Sequence, residues 1–112
     1  MSKKVNFDTL RSLSHTGISG SYAAIGSALT YTPKQMVITN ATDGDMIISD
    51  DNTNSTGKLF MPAGSSRIYD FTSNAFFGID DNWVMAIGII MYAKQSSAPT
   101  KGGIYLEYVY GT

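Results

Sequence analysis

The chain has 112 residues, of which 43% are apolar and only 15% charged, with no cysteine and a formal net charge of -1. That length fits one domain with a modest core, and the lack of cysteine excludes disulfides, thiolate metal sites and cysteine nucleophiles. The eight Lys and Arg residues are scattered, so no basic stripe exists to neutralise phosphates and nucleic-acid binding is not expected.

In chain order, Met1 to Asp8 carries Lys3 and Lys4 with no apolar stretch behind them, which is not the build of a signal peptide. Residues 3–11 hold Val5, Phe7 and Leu10 and read as a first strand or an arm. Residues 12–21 are rich in Gly and Ser and read as an extended connection. Residues 1–21 therefore either dock on a neighbouring subunit or fold back as an edge strand. The segment from Tyr22 to Tyr31 predicts a short strand or turn ending before Pro33. Gln35 to Asn40 predicts a strand, Ala41 to Gly44 a turn in which Asp43-Gly44 tolerates positive φ, and Asp45 to Ser49 the return strand of a hairpin. Asp50 to Gly57 is polar throughout and predicts an exposed loop.

Lys58 to Met61 predicts a brief strand ended by Pro62, and Ala63 to Ser66 a turn. In Arg67–Thr72 the alternation predicts a strand with Tyr69 and Phe71 on one face. Ser73 to Asn82 reads as a loop with buried aromatics. Trp83 to Ala93 is the most apolar stretch and, because it does not alternate, predicts a central strand buried on both faces, with a bulge or close contact at Gly88. Its longest apolar run, Val84 to Ala93, is far short of the ~20 residues that a membrane helix needs. Gln95 to Gly103 predicts a hairpin loop. Ile104 to Tyr110 predicts the last strand, with Ile104, Leu106, Tyr108 and Tyr110 on one face and Tyr105, Glu107 and Val109 on the other.

About six to eight short strands with turns every 8–12 residues is the pattern of an all-β, single-domain antiparallel β-sandwich, jelly-roll-like or a small barrel. Residues 22–112 form the sandwich in this reading. With few charges, its surface is built from Ser, Thr, Asn, Gly and Tyr, which suits a protein packed against others.

No residue constellation points to catalysis. The lone histidine, His15, lies in the Gly/Ser-rich connection and reads as a surface or interface residue. Gly17-Ile18-Ser19-Gly20 is one residue short of a nucleophile elbow. Asp43, Asp45, Asp50 and Asp51 fall close together and Asp80-Asp81 form a second pair, but the spacing and closing Glu of a calcium loop are missing, and these residues read first as turn formers. No cofactor and no metal ligand set is assigned. Asn40-Ala41-Thr42 and Asn54-Ser55-Thr56 match a glycosylation sequon, a match without meaning if the chain is not exported. Seven Tyr, five Phe and one Trp are many for this length. The candidate interface residues are Tyr22, Tyr31, Tyr105, Tyr108 and Tyr110, because tyrosine adds contact area at low entropy cost; core packing of the inward-facing ones is the competing reading.

The stretch Met36-Val37-Ile38-Thr39-Asn40-Ala41-Thr42-Asp43-Gly44-Asp45-Met46-Ile47-Ile48-Ser49-Asp50-Asp51 resembles part of small virion proteins of tailed bacteriophages, in which a strand ends in Asn-x-Thr-Asp, turns and returns to Ser and Asp. Leu59 to Ser65, Tyr69 to Asn74 and Tyr92 to Tyr110 are similar to later parts of that pattern; Ala75 to Met85 departs from it. The resemblance implies a non-enzymatic structural subunit made in the host bacterial cytoplasm and carried in the virion. It would be present in many copies at the head-tail neck, in the tail or on the capsid, with capsid, portal or tail proteins as partners and with copies of itself as a homo-oligomer. The competing readings from the residues are a carbohydrate-binding module using exposed aromatics, with Ca2+ in the Asp-rich loop, and a hydrolase built on Asp residues.

Overall fold

The computed structural model describes residues 4–71 and 85–111. Within them the chain forms nine strands and no helix beyond a single 3-10 turn: β1 (Val5–Phe7), β2 (Arg11–Ser14), the 3-10 turn (His15–Gly17), β3 (Ala23–Ala24), β4 (Pro33–Asn40), β5 (Met46–Ser49), β6 (Leu59–Met61), β7 (Ser66–Asp70), β8 (Tyr92–Gln95) and β9 (Gly103–Gly111). They make two antiparallel sheets. One has the order β1-β9-β4-β7, with β2 also paired to β9; the other has the order β3-β8-β5-β6. The expected loop with buried aromatics, Ser73 to Asn82, lies outside the described residues.

The core lies between the sheets. Met36 and Ile38 of β4 and Ile104, Leu106 and Tyr108 of β9 face Met46 and Ile48 of β5, Met61 of β6 and Ala93 of β8. This is the β-sandwich that the strand pattern predicts. The expected face division of the last strand is also present, with Ile104, Leu106 and Tyr108 buried and Glu107 exposed. Within the segment expected as an arm or edge strand, β1 and β2 both pair antiparallel with β9, with Phe7 opposite Val109 and Leu13 opposite Ile104.

Two expected hairpins are instead corners between the sheets. β4 belongs to one sheet and β5 to the other, so Ala41–Asp45 crosses the sandwich. The side chain of Asn40 makes the corner. It is fully buried, its amide donates to the carbonyls of Gly44 and Met61 at 3.0 Å each and of Pro62 at 3.2 Å, and its oxygen accepts from the backbone and hydroxyl of Thr42. Gly44 does not take a positive φ. It is small because a Cβ there would run into the Ser97 carbonyl of the next corner. Likewise Gln95–Gly103 joins β8 to β9 across the sheets rather than closing a hairpin. The hairpin present among the described residues is β5–β6, around the polar loop.

The apolar run is not one long central strand. Of its described part, only Tyr92 and Ala93 lie in β8, which continues to Gln95 between β3 and β5. Residues 85–91 run beside residues 25–29, with Ile25 N–H donating to Met91 O at 2.7 Å and Leu29 N–H to Ile89 O at 2.9 Å. Gly88 adopts φ +92 in a turn, which ends any straight strand, and Ile87 beside it is 62% exposed.

Candidate functional site

The strands β1, β2, β9, β4 and β7 present one face to the core and the other outward. Because side chains alternate, the outward face carries Tyr105, Glu107 and Val109 from β9, Val37 and Thr39 from β4 and Phe7 from β1. The register sets them in rows across the strands: Phe7, Val109, Gln35 and Asp70 in one row, and Glu107, Val37 and Ile68 in the next. Phe7 is 87% exposed and Ile68 70% exposed, and Val5 and Leu10 are also exposed. Beside the break between β1 and β2, an open hollow of ≈ 520 Å³ is lined by Phe7, Leu10, Val37, Glu107 and Val109 among others. Isolated exposed apolar residues are ordinary; here Phe7, Val109, Val37 and Ile68 run diagonally across the two rows, beside Gln35, Glu107 and Asp70.

A bulge shapes one end of this face. Pro33 pairs with Tyr110 and Gln35 with Val109, so Lys34 is the extra residue. Its side chain crosses over Gly111, where a Cβ would meet Lys34 Cε at 3.2 Å. Glu107, four residues earlier on the same strand, stands exposed toward the other end.

Behind the face sits a buried polar knot. The Arg11 guanidinium, 5% exposed, donates from Nε to Ser27 O at 2.8 Å, from Nη2 to Ala28 O at 2.8 Å, and from Nη1 to Thr9 O at 2.9 Å and Asp8 Oδ2 at 3.0 Å. It also lies 5.2 Å from the ring centre of Tyr108. The Tyr108 hydroxyl donates to Asp8 and accepts from the backbone N–H groups of Thr30 and Tyr31 at 3.2 Å each. Its hydrogen bond to Tyr108 is the leading cause that holds the Asp8 carboxyl below its ordinary range. Burial, with the same bond, raises the Tyr108 phenol. A guanidinium and a phenol with every partner in place form a clamp that ties β1, β2 and residues 27–31 to β9; neither has a free proton or lone pair aimed at a substrate.

The five candidate tyrosines separate. Tyr108 is 4% exposed and belongs to the core, which corrects its assignment to an interface: its hydroxyl finds its partner inside the chain. Tyr31 and Tyr110 stack on one another with centroids 3.8 Å apart and planes within 6°. Tyr22 donates to Asn54 O at 2.7 Å, meets Tyr92 edge-on and sits under the Lys94 ammonium at 4.6 Å, so it pins the polar loop. Tyr105 lies half-buried on the outward face. Sequence reasoning missed Phe7, Lys34, Val37 and Ile68 as members of one face, because they come from three different strands and only the register unites them.

The aspartates do not converge. Asp43 accepts from the Thr100 hydroxyl and from the backbone N–H groups of Thr100 and Lys101, bonds that hold it down to about 2. Asp45 accepts from Ala63 N–H at 3.0 Å. Asp50 and Asp51 both grip Lys58, at 2.6 and 3.0 Å, so a lysine ammonium occupies the space between the two carboxylates where a cation would lie. No group of three or more His, Asp or Glu that could hold a metal ion exists among the described residues; Asp80 and Asp81 lie outside them. His15 Nδ1 lies 3.0 Å from Gly102 O, and no nucleophile is bonded to it among the described residues. Of the two sequon asparagines, Asn40 is buried and fully bonded, and Asn54 turns its oxygen back onto the N–H groups of Thr56 and Gly57. Among the described residues no helix is long and apolar enough to cross a membrane.

No protein-family model, curated protein or solved structure matches this chain.

Proposed function

We propose that the protein is a non-enzymatic structural subunit of a bacteriophage virion that acts by docking through the outward face of its five-stranded sheet. The observation that carries the docking part is that large apolar side chains stand exposed on this face, Phe7 at 87% and Ile68 at 70%, on neighbouring rows. Two features support it. The polar groups behind the face are mutually satisfied within the chain, as a rigid building block needs. The charged fraction of 15% is well under the roughly 25% of ordinary soluble domains, which lowers the desolvation cost of a large contact. The virion itself is inferred from the resemblance of residues 36–51 and the later segments to small phage particle proteins.

Mass spectrometry of density-purified particles from the phage encoding this chain tests the reading. The expected result is a stoichiometric band of the protein, lost or reduced when Ile68→Asp replaces the wild type. Particles that lack the protein would defeat the proposal. Calcium-dependent binding on a glycan array would move the assignment to a carbohydrate-binding module.

A further inference from the structure

We infer that the outward face of the five-stranded sheet is where a second copy of this chain docks, in a two-fold, face-to-face contact. The inference rests on the docking role proposed above and names its occupant.

The argument is charge and register. Along β9 the outward positions are Tyr105, Glu107, Val109 and Gly111, and Lys34 crosses the last of them. Val109 lies midway between Glu107 and Gly111. Two sheets can meet face to face under a two-fold axis only if the axis lies in the plane between them. An axis running across the strands along the Phe7–Val109–Gln35 row reverses the strand direction and leaves that row in place. Glu107 of one copy then falls opposite Gly111, and so Lys34, of the other, and by symmetry the pair forms twice. Neither Glu107 nor Lys34 has a side-chain ion pair within its own chain among the described residues. On the axis itself Phe7 meets Phe7 and Val109 meets Val109, which buries the most exposed aromatic side chain of the described residues. The same row runs on through Gln35 to Asp70, so Gln35 meets Gln35 and Asp70 meets Asp70; Phe7 and Asp70 stand on the two edge strands, at opposite ends of the row. A different protein as occupant would not need its acidic and basic positions equidistant from the row through Val109; a second copy does.

The test is sedimentation equilibrium of the pure full-length chain with four variants: Phe7→Asp, Glu107→Lys, Lys34→Glu and the double exchange Glu107→Lys/Lys34→Glu. The expected result is a dimer for the wild type and a monomer for Phe7→Asp. Each single charge change weakens the dimer by tenfold or more, and the double exchange restores it. All three positions are exposed, so circular dichroism melts stay within a few degrees of the wild type and separate loss of contact from loss of fold. A wild type that is monomeric at high concentration overturns the inference. So does a dimer that both single charge changes leave untouched, or one that the double exchange fails to restore. A monomeric chain that is nonetheless present in purified particles sinks the second-copy inference alone and leaves the virion reading in place.

Discussion

Arg11 shows how one residue can tie several elements together. Its donors span Thr9, Ser27, Ala28 and the Asp8 carboxylate, so truncation strands several buried acceptors at once. Arg11→Ala is expected to cost about 3–5 kcal/mol, the range for breaking a buried charge pair, read as a lower urea midpoint at unchanged slope. Arg11→Lys should recover little of it, because an ammonium cannot reproduce the planar fork. Asp43 makes a prediction in pH. Its folded pKa, about 2, lies below its ordinary 3.8, chiefly because of the Thr100 hydroxyl and then the Thr100 N–H. A carboxyl depressed by folding stabilises the fold above its unfolded pKa and loses that contribution as pH falls through the folded one. The thermal midpoint should therefore fall between about pH 4 and pH 2, less steeply in Asp43→Asn. Asp8 and Asp51 are depressed too, so the slope should be reduced rather than abolished.

At the scale of elements, the corners decide the fold. Ala41–Asp45 and Ser96–Gly102 are stitched to each other: Asp43 caps Thr100 and Lys101, Asp45 N–H donates to the Ser97 hydroxyl at 2.8 Å, and Asp45 O accepts from Ser96 and Ser97 N–H. Gly102 takes φ +85, and any Cβ there would overlap the Ala41 carbonyl. Gly102→Ala should cost about 2–4 kcal/mol by combining left-handed strain with overpacking, measurable as a drop in melting temperature. Both corners were legible as polar, Gly-containing breaks, and both read as hairpins. Asp43-Gly44 looks like a hairpin turn because the local chemistry of a tight turn and of a corner is the same. The difference lies in what Asn40 bonds, and Met61 and Pro62 are 21 and 22 residues away.

For the whole molecule, stability resides in the layer between the sheets, to which four methionines, Met36, Met46, Met61 and Met91, contribute alongside Ile38, Ile48 and Ile104. Flexible thioethers fill the uneven gap between two small twisted sheets. Ile48→Ala, at a fully buried site of β5, should cost about 2–5 kcal/mol by lost transfer energy and the cavity left behind. Both sheets should unfold in one transition, with tyrosine fluorescence and far-ultraviolet circular dichroism giving coincident urea curves. Two separate transitions would contradict a shared core.

The sequence by itself determined most of the strands, the face each side chain of β9 takes, the Asp50–Gly57 loop, and a turn after Pro62, expected at Ala63 to Ser66, that closes one residue earlier, from Pro62 to Ser65, because alternation and turn chemistry are properties of neighbouring residues. Only the tertiary structure decided which sheet each strand joins, that the apolar run breaks at Gly88, that Tyr108 turns inward to Asp8, and that Phe7, Val37, Ile68 and Glu107 share a surface. Those outcomes depend on pairing between residues 30 to 100 positions apart, such as Val37 with both Ile68 and Glu107 and Asp8 with Tyr108. Backbone hydrogen bonds carry no side-chain identity. A strand therefore records which face it buries, while its partner is chosen by the packing of the whole sandwich.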